Sequence, residues 1–151
     1  LADFLFRLGH RTIALPDVTA TKPNMDRYLE AFTGTGLEVV PFPLPFHAKA
    51  LIAAMRTRHV TAACFHSDST ACLAIRDLKL AGVRIPEDLT VTGFDGMSTP
   101  VYPDLTTLAM PVREMVARVL AIVEGNGRSQ RHCLDLKLHE GFTHAHRGDK
   151  K

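Results

Sequence analysis

The sequence lacks several features that would assign it to a class at once. It has no run of about 18 apolar residues, so we predict no transmembrane helix. Eighteen basic residues nearly balance 16 acidic ones, and the net charge of +2 excludes a polybasic nucleic-acid clamp and an acidic tail. The amino terminus lacks both the basic-then-apolar layout of a signal peptide and an initiator methionine. We therefore expect a cytoplasmic protein without membrane contact, with further chain upstream.

Motifs of the common enzyme classes are also missing. No GxSxG, P-loop, HExxH or GxGxxG pattern occurs, and the GTG at 34–36 precedes a predicted strand rather than a helix. Cys64, Cys72 and Cys133 are odd in number and show no CxxC spacing, which indicates reduced thiols in or near the core. We predict no enzyme activity, no cofactor and no metal site.

The 151 residues instead show a regular alternation of short β-rich runs and longer helical patterns. Apolar residues at i, i+3, i+4 and i+7 predict helices, and short apolar or β-branched runs predict strands. The predicted strands are 11–15, 37–40, 59–65 and 88–94, and the predicted helices are 24–32, 48–58 and 69–80. This order predicts an α/β fold with three layers, in which a parallel sheet carries helices on both faces.

The pattern changes after residue 94. A strand is predicted at 105–110, a strongly amphipathic helix at 112–123, and a half-buried edge strand at 133–139, where leucines alternate with polar residues. The tail at 147–151 is polar, and we expect it to be disordered.

Polar side chains follow three of the predicted strands and open one helix, at the sheet edge where open parallel sheets bind ligands. Asp17 follows the first strand, and the polar residues that converge on this edge are Asn24, His66, Ser67, Asp68 and Asp95. Their carboxylate, amide and hydroxyl groups suit hydrogen bonding to a polyol, a sugar or a small polar metabolite.

The same residues also have purely local interpretations. One of residues 67–69, with Asp68 favoured, is expected to cap the following helix, and Asn24 is a candidate cap as well. Asp95 and Gly96 form an Asp-Gly pair that is typical of an ordinary turn. Capping and ligand contact are compatible for Asp68.

Four sequence stretches carry a family resemblance. Residues 8–14 read LGHRTIA, residues 80–95 read LAGVRIPEDLTVTGFD, residues 103–107 read PDLTT, and residues 136–141 read LKLHEG. In this order, over nearly the whole chain, they resemble the LacI/GalR family of transcriptional regulators. The resemblance implies a periplasmic-binding-protein-like lobe, truncated relative to the two-lobed effector domain of the family.

The resemblance also implies a division of the chain. Residues 1–104 correspond to the C-terminal lobe, 105–125 to a crossover strand and helix of the other lobe, and 126–146 to a return strand. Operator DNA would be contacted only through a helix-turn-helix headpiece that this chain does not contain.

The family's effector contacts map unevenly onto the sequence. Asp95 matches the aspartate of the family's GFDD element, but Gly96 replaces the next aspartate. Ser67 replaces the asparagine of its AND element, and Asn24 replaces its first-helix arginine, a charge for which Arg27 could substitute. The effector contacts implied are Asn24, Arg27, His66, Ser67, Asp68 and Asp95.

The resemblance further implies a homodimer whose interface includes Leu73, Asp77 and Tyr102. The leading hypothesis is thus a regulator fragment that senses a small sugar-like effector. A periplasmic-type sugar-binding protein of a transport system has the same fold and is the alternative. A doubly wound enzyme using Asp95 or the cluster at 66–68 is the third hypothesis.

Overall fold

The computed structural model describes residues 1–17, 30–97, 104–125, 127 and 133–148. The helices in these ranges are α1 (Ala2–Arg7), α2 (Ala48–Thr57), α3 (Asp68–Leu80) and α4 (Val112–Val123). The strands are β1 (Thr12–Pro16), β2 (Glu38–Phe42), β3 (Ala62–Cys64), β4 (Thr90–Asp95), β5 (Thr106–Ala109) and β6 (Lys137–His139). Most of the helix predicted at 24–32 lies outside the described residues.

The six strands form one sheet in the order β2-β1-β3-β4-β5-β6. All neighbours pair in parallel except β6, which pairs antiparallel with β5 at the edge of the sheet. The predicted α/β fold with a parallel sheet is confirmed. The predicted strand at 59–65 is shorter than expected, since only three of its residues join the sheet.

Helices cover both faces of the sheet, and each face has its own apolar cluster. Leu5 of α1 packs in one cluster with Ile13 and Leu15 of β1. Ala14 lies between those two residues in sequence and joins the other cluster, with α2 and α3. This alternation follows from the two-residue period of a strand. The sequence did not predict α1, because its six residues are too few to show helical periodicity.

Residues 141–147, which we call the C-terminal strap, pass the amino ends of the parallel strands. Thr143 is buried, and its hydroxyl donates to the Val91 carbonyl (2.6 Å) and accepts from the Thr106 amide (3.0 Å). Its carbonyl accepts from the Val91 amide (2.8 Å). The strap thus satisfies backbone groups of β4 and β5.

Arg147 fastens the far end of the strap. Its amide donates to the Leu8 carbonyl (2.6 Å), and its guanidinium donates to the carbonyls of Glu87 (2.7 Å) and Thr61 (3.2 Å). The tail that we expected to be disordered from residue 147 therefore begins with a residue held by three hydrogen bonds. Residues 149–151 lie outside the described residues.

After β4, the next strand joins the sheet, but the helix that follows it does not pack on the sheet. The strand predicted at 105–110 lies in this sheet, because β5 pairs with β4 from Thr92 and Thr106 onward. In contrast, α4 has no buried residue. Its exposed apolar side chains are Val112, Met115, Val116, Val119, Leu120 and Val123. No helix within the described ranges is both long and apolar enough to span a lipid bilayer.

Candidate functional site

The candidate site lies at the carboxyl ends of the parallel strands, an edge that we call the carboxyl rim. Asp17 follows β1 directly, His66 and Ser67 follow β3, and Asp95 is the last residue of β4. Because these strands are parallel neighbours, their carboxyl ends share one edge. The strap occupies the opposite edge, so the two features do not compete for space.

Asp95 ends β4 in a strained backbone conformation, and we call residues 94–97, where the chain leaves the strand, the rim turn. The Asp95 φ of 114° is in the region that glycine favours, and Gly96 follows with a φ of 73°. The Asp95 carbonyl accepts from the Met110 amide (3.1 Å), which fixes the turn to the chain beyond β5. Strained non-glycine residues persist where their surroundings hold them, and they concentrate at functional sites.

The glycine at position 96, where the GFDD element has its second aspartate, is explained by the packing of Ala109 against it. A side-chain carbon at this position would overlap the backbone and side chain of Ala109. The close approach of the rim turn to the end of β5 therefore excludes any larger residue in this conformation. Asp95 remains the carboxylate of the element at the rim.

Ser67, not Asp68, caps α3. The Ser67 hydroxyl accepts from the Thr70 amide (3.2 Å) and lies 2.8 Å from the Thr70 hydroxyl. Our preference for Asp68 as the cap was wrong, since Asp68 is already the first helical residue. Ser67 is half-buried at the rim, where its hydroxyl serves the helix.

Asp68 is placed differently from the expected effector contact. It is 1% exposed, and both carboxylate oxygens are engaged within the protein. Oδ1 accepts from the Thr107 hydroxyl and Oδ2 from the Met97 amide, each at 2.6 Å. A buried carboxylate with these partners supports its surroundings instead of facing the rim.

His66 is half-buried and lines a separate surface groove of about 450 Å³. The groove also contains Leu73 and Asp77, two of the residues predicted at a dimer interface. Leu73 is 54% exposed, and Asp77 pairs with Arg76 (2.9 Å). The structure therefore groups His66 with the α3 surface. Asn24, Arg27 and Tyr102 lie outside the described residues.

Two further grooves adjoin the rim. One, of about 610 Å³, is lined by Asp17 together with Phe32 and Gly34. The other, of about 730 Å³, runs from Gly96 to charged side chains around α4. Those charged residues are Arg113, Glu114, Arg118, Asp135 and Lys137. This second groove is not predictable from the sequence, because no local pattern connects residues 113–118 with 135–137.

Two buried groups among the described residues have shifted pKa values. Burial, aided by the nearby Arg147 guanidinium, lowers the pKa of His10 from 6.5 to about 4. Burial also raises the pKa of the Cys64 thiol to about 11, which keeps it protonated and unreactive. Cys64 and Cys72 are buried as predicted, whereas Cys133 is exposed and does not belong to the core.

Comparison with known proteins identifies the fold and its relatives. The profile of the periplasmic binding protein-like domain matches residues 2–132. The HTH-type transcriptional regulator DegA of Bacillus subtilis is 29% identical over 130 residues, which cover 77% of this chain and 38% of DegA. The chain thus spans less than two fifths of the length of this relative.

Solved structures agree with the sequence comparison. A LacI-family regulator from Corynebacterium glutamicum superimposes with a TM-score of 0.75 at 27% identity, covering 97% of this chain and 63% of that one. A LacI-family regulator from Enterococcus faecium, solved with bound ribose, gives a TM-score of 0.72 at 26% identity, covering 96% of this chain and 60% of that one. These relatives are transcriptional regulators.

Proposed function

Because the chain belongs to the periplasmic binding protein-like domain family and resembles LacI/GalR regulators over most of its length, we propose that it senses a small sugar-like effector for a transcriptional regulator. The main support for this proposal is the position of Asp95 at the end of β4, in the strained rim turn. A carboxylate accepts hydrogen bonds from two hydroxyl groups at once, as a sugar offers. The ribose bound to the Enterococcus faecium relative supports this choice of ligand.

The wider architecture forms part of the proposal. We assign residues 1–104 to the C-terminal lobe, 105–125 to a crossover segment whose strand β5 still pairs in the sheet of that lobe, and 126–146 to a return segment that contributes β6. The exposed apolar face of α4 supports a place for this helix outside the lobe. In the whole protein, effector binding between two lobes would change operator affinity by favouring one lobe arrangement.

The proposal also covers the other effector contacts, the dimer surface and the binding of DNA. Asn24, Arg27 and Ser67 join Asp95 around the effector, and Asp17 is added because it lines a groove at the same rim. Homodimer contacts fall on the α3 surface, where Leu73 is exposed. DNA is bound through a separate headpiece, in the cytoplasm.

The test is a ribose titration of ¹⁵N-labelled protein followed by NMR. We expect millimolar affinity, because a single lobe provides one wall of a cleft and leaves most of the ligand in water. The shifts should concentrate at the amides of Asp17, Asp95 and Gly96. Asp95→Asn should weaken binding about tenfold, the effect of one charge-assisted hydrogen bond.

The exposed Asp104, which precedes β5 at the opposite edge of the sheet, provides the matched control. Asp104→Asn removes the same charge away from the rim turn and should leave the titration unchanged. The proposal fails if ribose and related sugars shift no rim amide, or if the two variants bind ribose equally well.

A further inference from the structure

We propose that Asp68 is a positioning residue, whose buried carboxylate holds the rim turn in the conformation that presents Asp95. The effect on effector binding rests on the proposed function, whereas the effect on the turn does not. Asp68 acts without touching the effector in this proposal, because its side chain is buried, with 1% of the residue exposed.

The carboxylate joins three elements that are distant in sequence. Asp68 opens α3, its Oδ2 accepts from the Met97 amide at the end of the rim turn, and its Oδ1 accepts from Thr107 of β5. Both hydrogen bonds are 2.6 Å long, and the bond from the Thr107 hydroxyl has the length typical of a hydroxyl that donates to a carboxylate. The positive end of the α3 dipole also favours a carboxylate at this position.

Close packing around Asp68 leaves it little freedom. A side-chain carbon on Gly93 would overlap Oδ1, so the strand passes the carboxylate as closely as a backbone can. Gly93, the glycine of the GFD element, therefore leaves the space that the Asp68 carboxylate occupies. Asp95, the aspartate of the same element, lies in the rim turn that Asp68 holds.

The rim turn needs restraint on both sides of its strained residues. The Met110 amide binds the Asp95 carbonyl (3.1 Å), and Asp68 binds the Met97 amide. Without the second restraint, the φ of 114° at Asp95 is free to relax toward a more populated region. Asp95 would then lose its fixed orientation although its own side chain is intact.

Amide exchange of the 151-residue chain, read by NMR, tests the positioning role without a ligand. In Asp68→Ala, and in the milder Asp68→Ser, the Met97 amide should exchange about tenfold faster relative to the Phe65 amide, which reports the core. Asp68→Asn should restore slow exchange, since its oxygen can accept from Met97 while its amide donates to Thr107. Ile75→Val, a buried change on the same helix, is the control for general loss of stability.

The outcomes separate the two proposals. The positioning role is overturned if Met97 exchange in the Ala and Ser variants changes no more than in Ile75→Val, if Asn fails to rescue, or if neither Ala nor Ser folds. In a ribose titration, Asp68→Ser should raise the dissociation constant about tenfold and Asp68→Asn should not. If ribose does not bind the unsubstituted chain, the proposed function fails while the exchange result still decides the role of Asp68.

Discussion

Replacing Thr143 with valine tests whether the C-terminal strap holds the lobe together. The change preserves shape but removes the hydroxyl that serves the Val91 carbonyl and the Thr106 amide, both in a buried region. Each of the two buried backbone groups left without a partner costs about 1–3 kcal/mol, so we expect a loss of about 2–6 kcal/mol. For a domain that is stable by about 5–15 kcal/mol, this is a large fraction, equivalent to a fall of roughly 4–24 °C in the melting temperature.

The measurement is urea and thermal unfolding followed by far-ultraviolet circular dichroism, because the chain contains no tryptophan to report by fluorescence. Thr143→Ser keeps the hydroxyl and should lose only about 1 kcal/mol, for the missing methyl group. Thr33→Val makes the same chemical change at an exposed site and should be nearly neutral. Equal losses in Thr143→Val and Thr33→Val would refute the role assigned to the strap.

Two further predictions concern buried contacts at either edge of the sheet. His10 has a pKa of about 4 in the folded protein and 6.5 in the unfolded chain, so the unfolded chain takes up a proton at a higher pH. The free energy of unfolding should therefore fall by about 2–3 kcal/mol as the pH drops from 6.5 to 4. In urea unfolding, His10→Gln should reduce the pH dependence of stability, whereas His139→Gln, at an exposed site, should leave it unchanged. An unaltered pH dependence in His10→Gln would contradict the assignment of this effect to His10. Gly93→Ala should cost about 1–3 kcal/mol by crowding Asp68, while Gly148→Ala, in open space, should be neutral by the same measurement.

The fold was predictable where the pattern is local. Parallel strands surrounded by helices show as short apolar runs between periodic segments. These runs predicted the ends of β1, β2 and β4 to within two residues, whereas the run at 59–65 is longer than the three residues of β3. Asp95 lies at the end of β4 as predicted, because a position at the end of a strand depends only on where that strand ends. Helix α1 escaped prediction because it is too short for periodicity.

The misplaced features depend on contacts between distant segments. Asp68 was expected to cap a helix because capping follows from local order, but its position is set by Thr107, 39 residues away. The strap contains no periodic pattern, and its structure comes from hydrogen bonds such as that from Ala145 to Thr90, 55 residues away. Single-sequence reasoning has no access to such pairs.

The strap also determines when folding can finish. The Arg147 amide bonds the Leu8 carbonyl, so almost the first and almost the last described residues meet. During synthesis, β1 to β4 and their helices emerge earlier and can pack through contacts that are closer in sequence. Until residues 141–147 emerge, however, the Val91 and Thr106 amides have no strap partner. The hydrogen bonds that join β4 and β5 to the strap therefore form only after residues 141–147 have been synthesised.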